Sequence, residues 1–245
     1  MDKKSLSIVI PCYNEEEGIP NLVSQLNPVL SELNEGYKIE LIFVDDGSRD
    51  RTNELLHQYF EKNTNSNVKI INHETNKNLG AALRTGFANA SGEYVACLDS
   101  DCTYDPKLLI DMLDMIDDST DIVTVSLHHP DVKFNDAPGY RIFLSRAISK
   151  IYKIIIGSKV YSYTAMVRVY RKKVLQNVTF KSNNFLSVTE LMVKALLQGY
   201  NVKEIPVGLN KRQYGSSKIK LFGVIRDHFG LILRVILYKI CRKEI

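Results

Sequence analysis

Three times in its first hundred residues the chain runs through a short apolar, β-favouring segment and stops on polar groups. Leu6 to Ile10 ends in Pro11-Cys12-Tyr13-Asn14-Glu15, Ile39 to Val44 in Asp45-Asp46-Gly47-Ser48, and Tyr94 to Leu98 in Asp99-Ser100-Asp101. Apolar runs with little alternation predict strands buried on both faces, the pattern of a parallel sheet covered by helices. Helical segments separate them, and strand–helix alternation continues to Ser126, so the expected class is α/β with a mostly parallel sheet flanked by helices. In open sheets of that kind ligands gather beyond the carboxyl ends of the strands. That is where the polar groups fall.

The remaining elements follow from local signals. A helix begins near Ile19, with Pro28 expected to break or kink it around Asn27. Thr52 to Phe60 reads as a helix with Asp50 as its cap, followed by a polar loop from Lys62 to Asn67 and a strand from Val68 to Asn72. Asn76 to Gly80 is a turn before a helix from Ala81 to Ala90, in which Gly80 and Gly86 permit close packing. Asp105-Pro106 opens a helix to Met115, with proline at its favoured first position, and Ile122 to Ser126 is a strand. Beyond the loop ending at Gly139 come a basic amphipathic helix (Tyr140 to Ile156), a strand (Ala165 to Tyr170) and a helix (Ser187 to Gln198) closed by Gly199. A strand (Val202 to Leu209), a basic loop (Lys211 to Lys218) and a last helix (Leu221 to Cys241) complete the chain.

A length of 245 residues suits one large domain with an appendage, divided here as 1–220 and 221–245. Four cysteines without Cys-x-x-Cys spacing read as reduced thiols and not as a zinc site. The adjacent pair His128-His129 has no third ligand nearby and reads as loop. The start, Met1-Asp2-Lys3-Lys4, runs straight into a strand, so no signal peptide is expected. No stretch of about 20 residues is free of charge, so no spanning helix is expected either. The net charge of +4 conceals an asymmetry. Residues 1–139 hold 11 Lys and Arg against 24 Asp and Glu, whereas residues 140–245 hold 21 against 4. An acidic half that attracts metal and a basic half that faces an anionic partner fit this split.

Two carboxylates one residue apart at a strand end, Asp99 and Asp101, can share a hard divalent cation that substrate phosphates also hold. Standing alone, an Asp-x-Asp would be a solvated surface turn. Here it follows a buried strand, and a second acidic strand end lies upstream. Tyr13 offers a flat face for a base and Asp46 a hydrogen-bond acceptor.

Ile10-Pro11-Cys12-Tyr13-Asn14-Glu15, Val44-Asp45-Asp46-Gly47-Ser48, Asn78-Leu79-Gly80 and Asp99-Ser100-Asp101 together resemble the family 2 glycosyltransferases of the GT-A fold. The nearest branch is the polyprenyl-phosphate, or dolichol-phosphate mannose synthase-like, enzymes, and the resemblance extends over about residues 5 to 221. It implies a Rossmann-like sheet and a metal-dependent hexosyltransferase. In the resembling pattern Pro11, Tyr13, Glu15, Val44 and Asp46 form the nucleotide pocket, and Asp99, Ser100 and Asp101 meet the diphosphate. Asp99 and Asp101 then hold Mg²⁺ or Mn²⁺. Arg146 resembles a phosphate-binding helix arginine, and Arg212 and Lys218 resemble the Arg-x-x-Gly-x-Ser-Lys loop over donor and acceptor. These cations, with Asp99 and Asp101, are the expected catalytic and acceptor-binding groups. Three positions depart from the pattern: Thr103 for a frequent Gln, Leu127 for an Arg, and Ser162 for an Asp proposed as a base.

The expected reaction is inverting transfer from a GDP- or UDP-sugar to a polyprenyl phosphate. A hydroxyl acceptor needs a general base, which Ser162 does not supply, whereas a phosphate is already anionic. A soluble glycan or protein acceptor is the alternative, followed by a silent nucleotide-sugar-binding protein. A nucleotidyltransferase fits less well, because no glycine-rich phosphate loop follows the first strand. The last helix is apolar around most of its circumference, with Arg226, Asp227, Gly230 and Arg234 forming a narrow polar stripe. It reads as an interfacial helix on anionic lipid, against the alternatives of a core helix or a dimer contact. The expected location is cytoplasmic, peripheral on the cytoplasmic face of a membrane, with no nucleic-acid partner. A homo-oligomer and a membrane-protein partner both stay open.

Overall fold

The computed structural model describes residues 3–61, 67–132, 139–210, 214 and 221–241. Strands β1 (Lys4–Cys12), β2 (Tyr37–Asp45), β3 (Asn67–Asn72), β4 (Tyr94–Cys97), β5 (Ile122–Ser126), β6 (Arg168–Arg171) and β7 (Val202–Pro206) form one sheet. Its order is β3-β2-β1-β4-β6-β5-β7. All pairings are parallel except those of β6, which runs antiparallel to β4 and β5. The helices are α1 (Ile19–Leu33), α2 (Thr52–Leu56, continued by a π-helical turn His57–Glu61), α3 (Leu79–Asn89) and α4 (Leu108–Asp114). They continue as α5 (Gly139–Ile156), α6 (Lys172–Asn177), α7 (Leu186–Leu197) and α8 (Leu221–Cys241).

The central strands are apolar because both faces are covered. Alternate residues Ile8 and Ile10 of β1 join Leu41 and Phe43 of β2 in a core with Leu22 and Leu26 of α1, Met112 of α4 and Phe60. The intervening Val9, Ile42, Val44 and Val95 pack against Ala82 of α3 on the other face. Burial of each such side chain contributes roughly 1.5–3 kcal/mol. Helix α3 comes so close to the sheet that a Cβ on Gly86 would overlap Cγ1 of Val9. Glycine at 86 is therefore a packing requirement.

Of the expected break or kink at Pro28, the break does not occur: helix α1 runs from Ile19 to Leu33 with Pro28 inside it. Pro28 and Ser24 lie on the exposed side, so the carbonyl without an amide partner faces water. Leu22, Leu26, Val29, Leu30 and Leu33 hold the opposite side in the core. Helix α4 starts two residues beyond Pro106, because Asp105 forms a turn with its Oδ1 accepting the Lys107 N–H at 2.8 Å. Strands β6 and β7 are shorter than the apolar runs that suggested them, and α6 was not foreseen. Of the polar loop after α2, residues 62–66 lie outside the described residues, and Asn67 already belongs to β3. Helix α8 has the expected bounds and buries His228, Leu231 and Val235. Among the described residues no helix is long and apolar enough to cross a membrane.

Candidate active site

The chain leaves β1 for β2 on one side and reaches β4 on the other, so the sheet order reverses beside β1. Open α/β sheets form their ligand crevice at such a reversal. The carboxyl ends of β2, β1 and β4 lie side by side there. Pro11 pairs with Val44, Cys12 with Asp45, and Val9 with Cys97. The Leu98 N–H continues the ladder onto the Val9 carbonyl at 3.1 Å, which delivers Asp99, Ser100 and Asp101 to the same edge as Tyr13, Glu15 and Asp46. The eight expected nucleotide-sugar residues thus fall on adjacent strand ends. Pro11, Val44, Asp46 and Ser100 are buried, while Tyr13, Glu15, Asp99 and Asp101 are half-buried.

The loops are stitched together by polar contacts. Asn14 has a positive φ of 50°, held by its N–H donating to Ser48 Oγ at 2.9 Å and its Oδ1 accepting the Arg49 N–H at 2.8 Å. Glu15 N–H donates to Thr52 Oγ1 at 2.8 Å, and Glu16 N–H to Asp50 at 3.2 Å. The expected helix-capping residue Asp50 also accepts the Thr52 N–H at 3.0 Å. Cys102, directly after Asp101, is a second non-glycine residue with positive φ, at 52°. Such backbone is uncommon outside glycine and concentrates at ligand sites.

The site is electronegative. Burial first, and then Asp101, Asp99 and Asp105, push the Cys102 thiol up to about 12. Burial and then Asp99 likewise raise Tyr104, and burial with Glu15, Asp45 and Asp50 raises Cys12. These groups stay protonated near neutral pH and supply no anionic ligand. Among the described residues no three His, Cys, Asp or Glu side chains converge as a metal-binding group. A hard cation held by only two carboxylates takes the rest of its shell from phosphate and water oxygens.

Arg146 is exposed on α5, next to Ser145, whose Oγ lies 2.8 Å from His128 Nε2 and 2.6 Å from Thr164 Oγ1. Burial, and then Arg146, lower His128 to about 4, so it is neutral near pH 7. Arg212 and Lys218 lie outside the described residues. The segment leading to them is tied to the site, since Asn210 N–H donates to the Thr103 carbonyl at 3.0 Å and Thr103 N–H donates to Asp101 Oδ1 at 3.0 Å.

Three residues at this end of the sheet were not singled out by motif. His73 follows β3 and meets Asp46, with Nδ1 2.6 Å from Oδ1. Glu204 of β7 accepts the N–H groups of Tyr161 and Ser162, each at 2.8 Å. Arg168 of β6 is fully buried and donates to the carbonyls of Val188 at 2.6 Å and Tyr163 at 2.8 Å. Their common signal in the sequence is an ionisable residue inside or just beyond an apolar strand run.

Comparison with known proteins bears on the fold and the family. A dolichol-phosphate mannosyltransferase of Pyrococcus furiosus is 29% identical over 236 residues, covering 93% of this chain and 63% of that protein. A polyprenol monophosphomannose synthase of Mycolicibacterium smegmatis is 26% identical over 218 residues, covering 86% and 80%. The chain thus spans under two thirds of the archaeal relative's length. Among solved structures, glucosyl-3-phosphoglycerate synthase of Mycobacterium tuberculosis with Mn²⁺, UDP and glucosyl-3-phosphoglycerate superposes with a TM-score of 0.65 at 18% identity, covering 96% of this chain and 79% of that one. Mannosyl-3-phosphoglycerate synthase of Rubrobacter xylanophilus gives 0.69 at 14% identity, covering 99% and 76%. These structural likenesses establish the fold. Residues 7–179, most of the chain, match the glycosyl transferase family 2 domain, and the chain belongs to that family.

Proposed function

We propose that the protein transfers a sugar, with inversion, from a nucleotide-sugar donor to a polyprenyl phosphate at a membrane surface. The observation that carries this reading is the carboxylate pair Asp99 and Asp101 at the end of β4, beside Asp46 and the Pro11–Glu15 segment where the sheet order reverses. Tyr13 would stack on the base within a pocket of Pro11, Glu15, Val44 and Asp46. Asp99, Ser100 and Asp101 would face the diphosphate, and Asp99 and Asp101 would hold Mg²⁺ or Mn²⁺. Such an ion offsets the charge that develops on a diphosphate leaving group.

The acceptor follows from what stands where a base could be. Ser162 is buried, and both oxygens of nearby Glu204 are engaged by backbone N–H groups. A hydroxyl acceptor would need a proton taken from it. A phosphate oxygen can attack the anomeric carbon directly while the bond from that carbon to the donor's β-phosphate oxygen breaks and the nucleoside diphosphate leaves. What it needs is cations, and Arg146, Arg212 and Lys218 are the assigned ones. The two curated relatives are named as enzymes of polyprenyl-phosphate lipids, which supports the choice.

Membrane contact is assigned to residues 221–245 as an appendage to a catalytic domain of residues 1–220. Ten large hydrophobic side chains are exposed among the described residues, and nine lie on α5 and α8. Ile225, Phe229, Leu233, Leu237 and Ile240 form one stripe on α8, and Tyr140, Phe143, Ile151 and Ile154 one on α5. Exposed Arg146, Lys150, Arg234 and Lys239 share these helices. Apolar stripes edged by cations suit the anionic cytoplasmic face of a membrane.

Donor and metal are tested by thermal shift with a panel of nucleotide sugars, with and without Mn²⁺. One donor at 100 times its Kd should add about 2.7 kcal/mol. The gain should need the metal and vanish in Asp99→Asn and Asp101→Asn. Equal stabilisation without metal, or in both variants, would remove the carboxylate pair from the site.

A further inference from the structure

Half of the Asp46 carboxylate is already taken within the protein. His73 extends the β2–β3 ladder by one rung, its N–H donating to the Asp45 carbonyl at 2.9 Å. Its Nδ1 lies 2.6 Å from Asp46 Oδ1, and its Nε2 lies 2.9 Å from Thr85 Oγ1 on α3. The Lys77 backbone N–H donates to the same Oδ1 at 2.9 Å. Both side chains of the pair are buried, 7% exposed for His73 and 4% for Asp46. A carboxylate oxygen cannot donate, so Nδ1 carries a proton and donates to it. Nε2 faces a hydroxyl that can either donate or accept, so this holds for neutral and protonated imidazole alike.

Each carboxylate oxygen offers about two acceptor sites. Two donors therefore saturate Oδ1. Among the described residues no hydrogen bond reaches Oδ2. We infer that His73, with the Lys77 N–H, is a specificity-determining positioning residue that leaves Asp46 one oxygen for the base, so that the pocket selects uracil over guanine. The inference rests on the proposal above that Asp46 faces the base. Uracil presents a single ring N–H, which one oxygen satisfies. Guanine presents a ring N–H beside an amine, two parallel donors that cannot both point straight at one oxygen and are matched by the two oxygens of a carboxylate. Against a saturated Oδ1 its second donor is buried without a partner, a loss of about tenfold or more in affinity. Cytosine has no ring N–H at the corresponding position and would set an acceptor against Oδ2.

The test is calorimetric titration of UDP, GDP and CDP, with Mn²⁺, into the wild type, His73→Ala and His73→Asn. The wild type should bind UDP about tenfold or more tightly than either GDP or CDP. His73→Ala frees one acceptor site on Oδ1, the other staying with the Lys77 N–H, and should narrow the UDP-to-GDP ratio. His73→Asn keeps an N–H close to where Nδ1 stands and should restore it, which a merely structural role for His73 would not do. GDP binding as tight as UDP with CDP still rejected would overturn the inference while leaving Asp46 at the base, as would an unchanged ratio in His73→Ala. CDP binding as tight as UDP, or binding of no nucleotide, would overturn the base-facing role of Asp46 and this inference with it. The wild-type comparison stands by itself if His73→Ala does not fold.

Discussion

Replacing Glu190 by glutamine tests how the wall behind α3 is held. Glu190 is fully buried on α7 and accepts the Lys181 N–H at 3.1 Å and the Ser182 N–H and hydroxyl at 2.9 and 2.6 Å, with Lys194 Nζ 2.9 Å away. Burial by itself pushes this carboxyl up. The Ser182 hydroxyl, Lys194 and the two N–H groups outweigh it and bring the value from 4.5 down to about 2. The folded-state value lies below the unfolded one, so the contribution is complete above about pH 4.5 and is lost as pH falls towards 2. It corresponds to roughly 3 kcal/mol at neutral pH.

Glutamine keeps the shape but leaves the buried Lys194 ammonium without its counter-charge, and breaking a buried pair commonly costs about 3–5 kcal/mol. Urea titrations at pH 7 should therefore show Glu190→Gln less stable by about 3 kcal/mol. The wild type should lose stability steeply between about pH 4.5 and pH 2, and the variant should do so less steeply. A variant within about 0.5 kcal/mol of wild type at pH 7, or with the same acid slope, would refute the reasoning. The turn that Glu190 holds also anchors α3: Gly80 N–H donates to the Asn183 carbonyl at 2.6 Å and Arg84 to the Ser182 carbonyl at 2.9 Å. Both belong to α3, the helix that brings Thr85 to His73.

Two further perturbations address other layers. Phe229→Gln combined with Leu233→Gln alters only side chains that are 70% and 50% exposed, so Tm should hold while flotation with anionic liposomes weakens roughly a hundredfold; wild-type flotation that is absent, or equal on neutral liposomes, would count against the membrane assignment. Gly86→Val drives a side chain into Val9 and Val44, and overpacking of this kind should cost about 1–3 kcal/mol in a thermal melt, whereas an unchanged Tm would mean that α3 does not sit as close to β1 as described.

The sheet edge was legible because its signal is local. Runs such as Tyr94 to Leu98 with carboxylates just beyond them state both the strand and the end that matters. The helix boundaries were less so. Pro28 is tolerated because it faces solvent, a fact of the fold that α1 alone does not carry. The run from Ala165 reads as strand, yet the ladder starts at Arg168, where β4 and β5 lie alongside. His73 and Glu204 depended on contacts distant in sequence. Nothing near residue 73 says that its ring will meet a carboxylate 27 residues earlier, and nothing near residue 204 points to Ser162, 42 residues away. The departures at Thr103 and Ser162 were visible as residue types, but their consequence required seeing the Asn210 and Glu204 contacts.

Transfer of labelled sugar to polyprenyl phosphate is the most direct test of the account. The assay sets that lipid beside the same lipid as its free alcohol and a panel of soluble sugars and peptides, with Mn²⁺ and the donor that thermal shift selects. The account predicts product on the lipid phosphate with inverted anomeric configuration, no product on the alcohol, and loss on the order of a hundredfold or more in Asp99→Asn and Asp101→Asn. Robust transfer to a soluble hydroxyl acceptor with none to the lipid phosphate would contradict it.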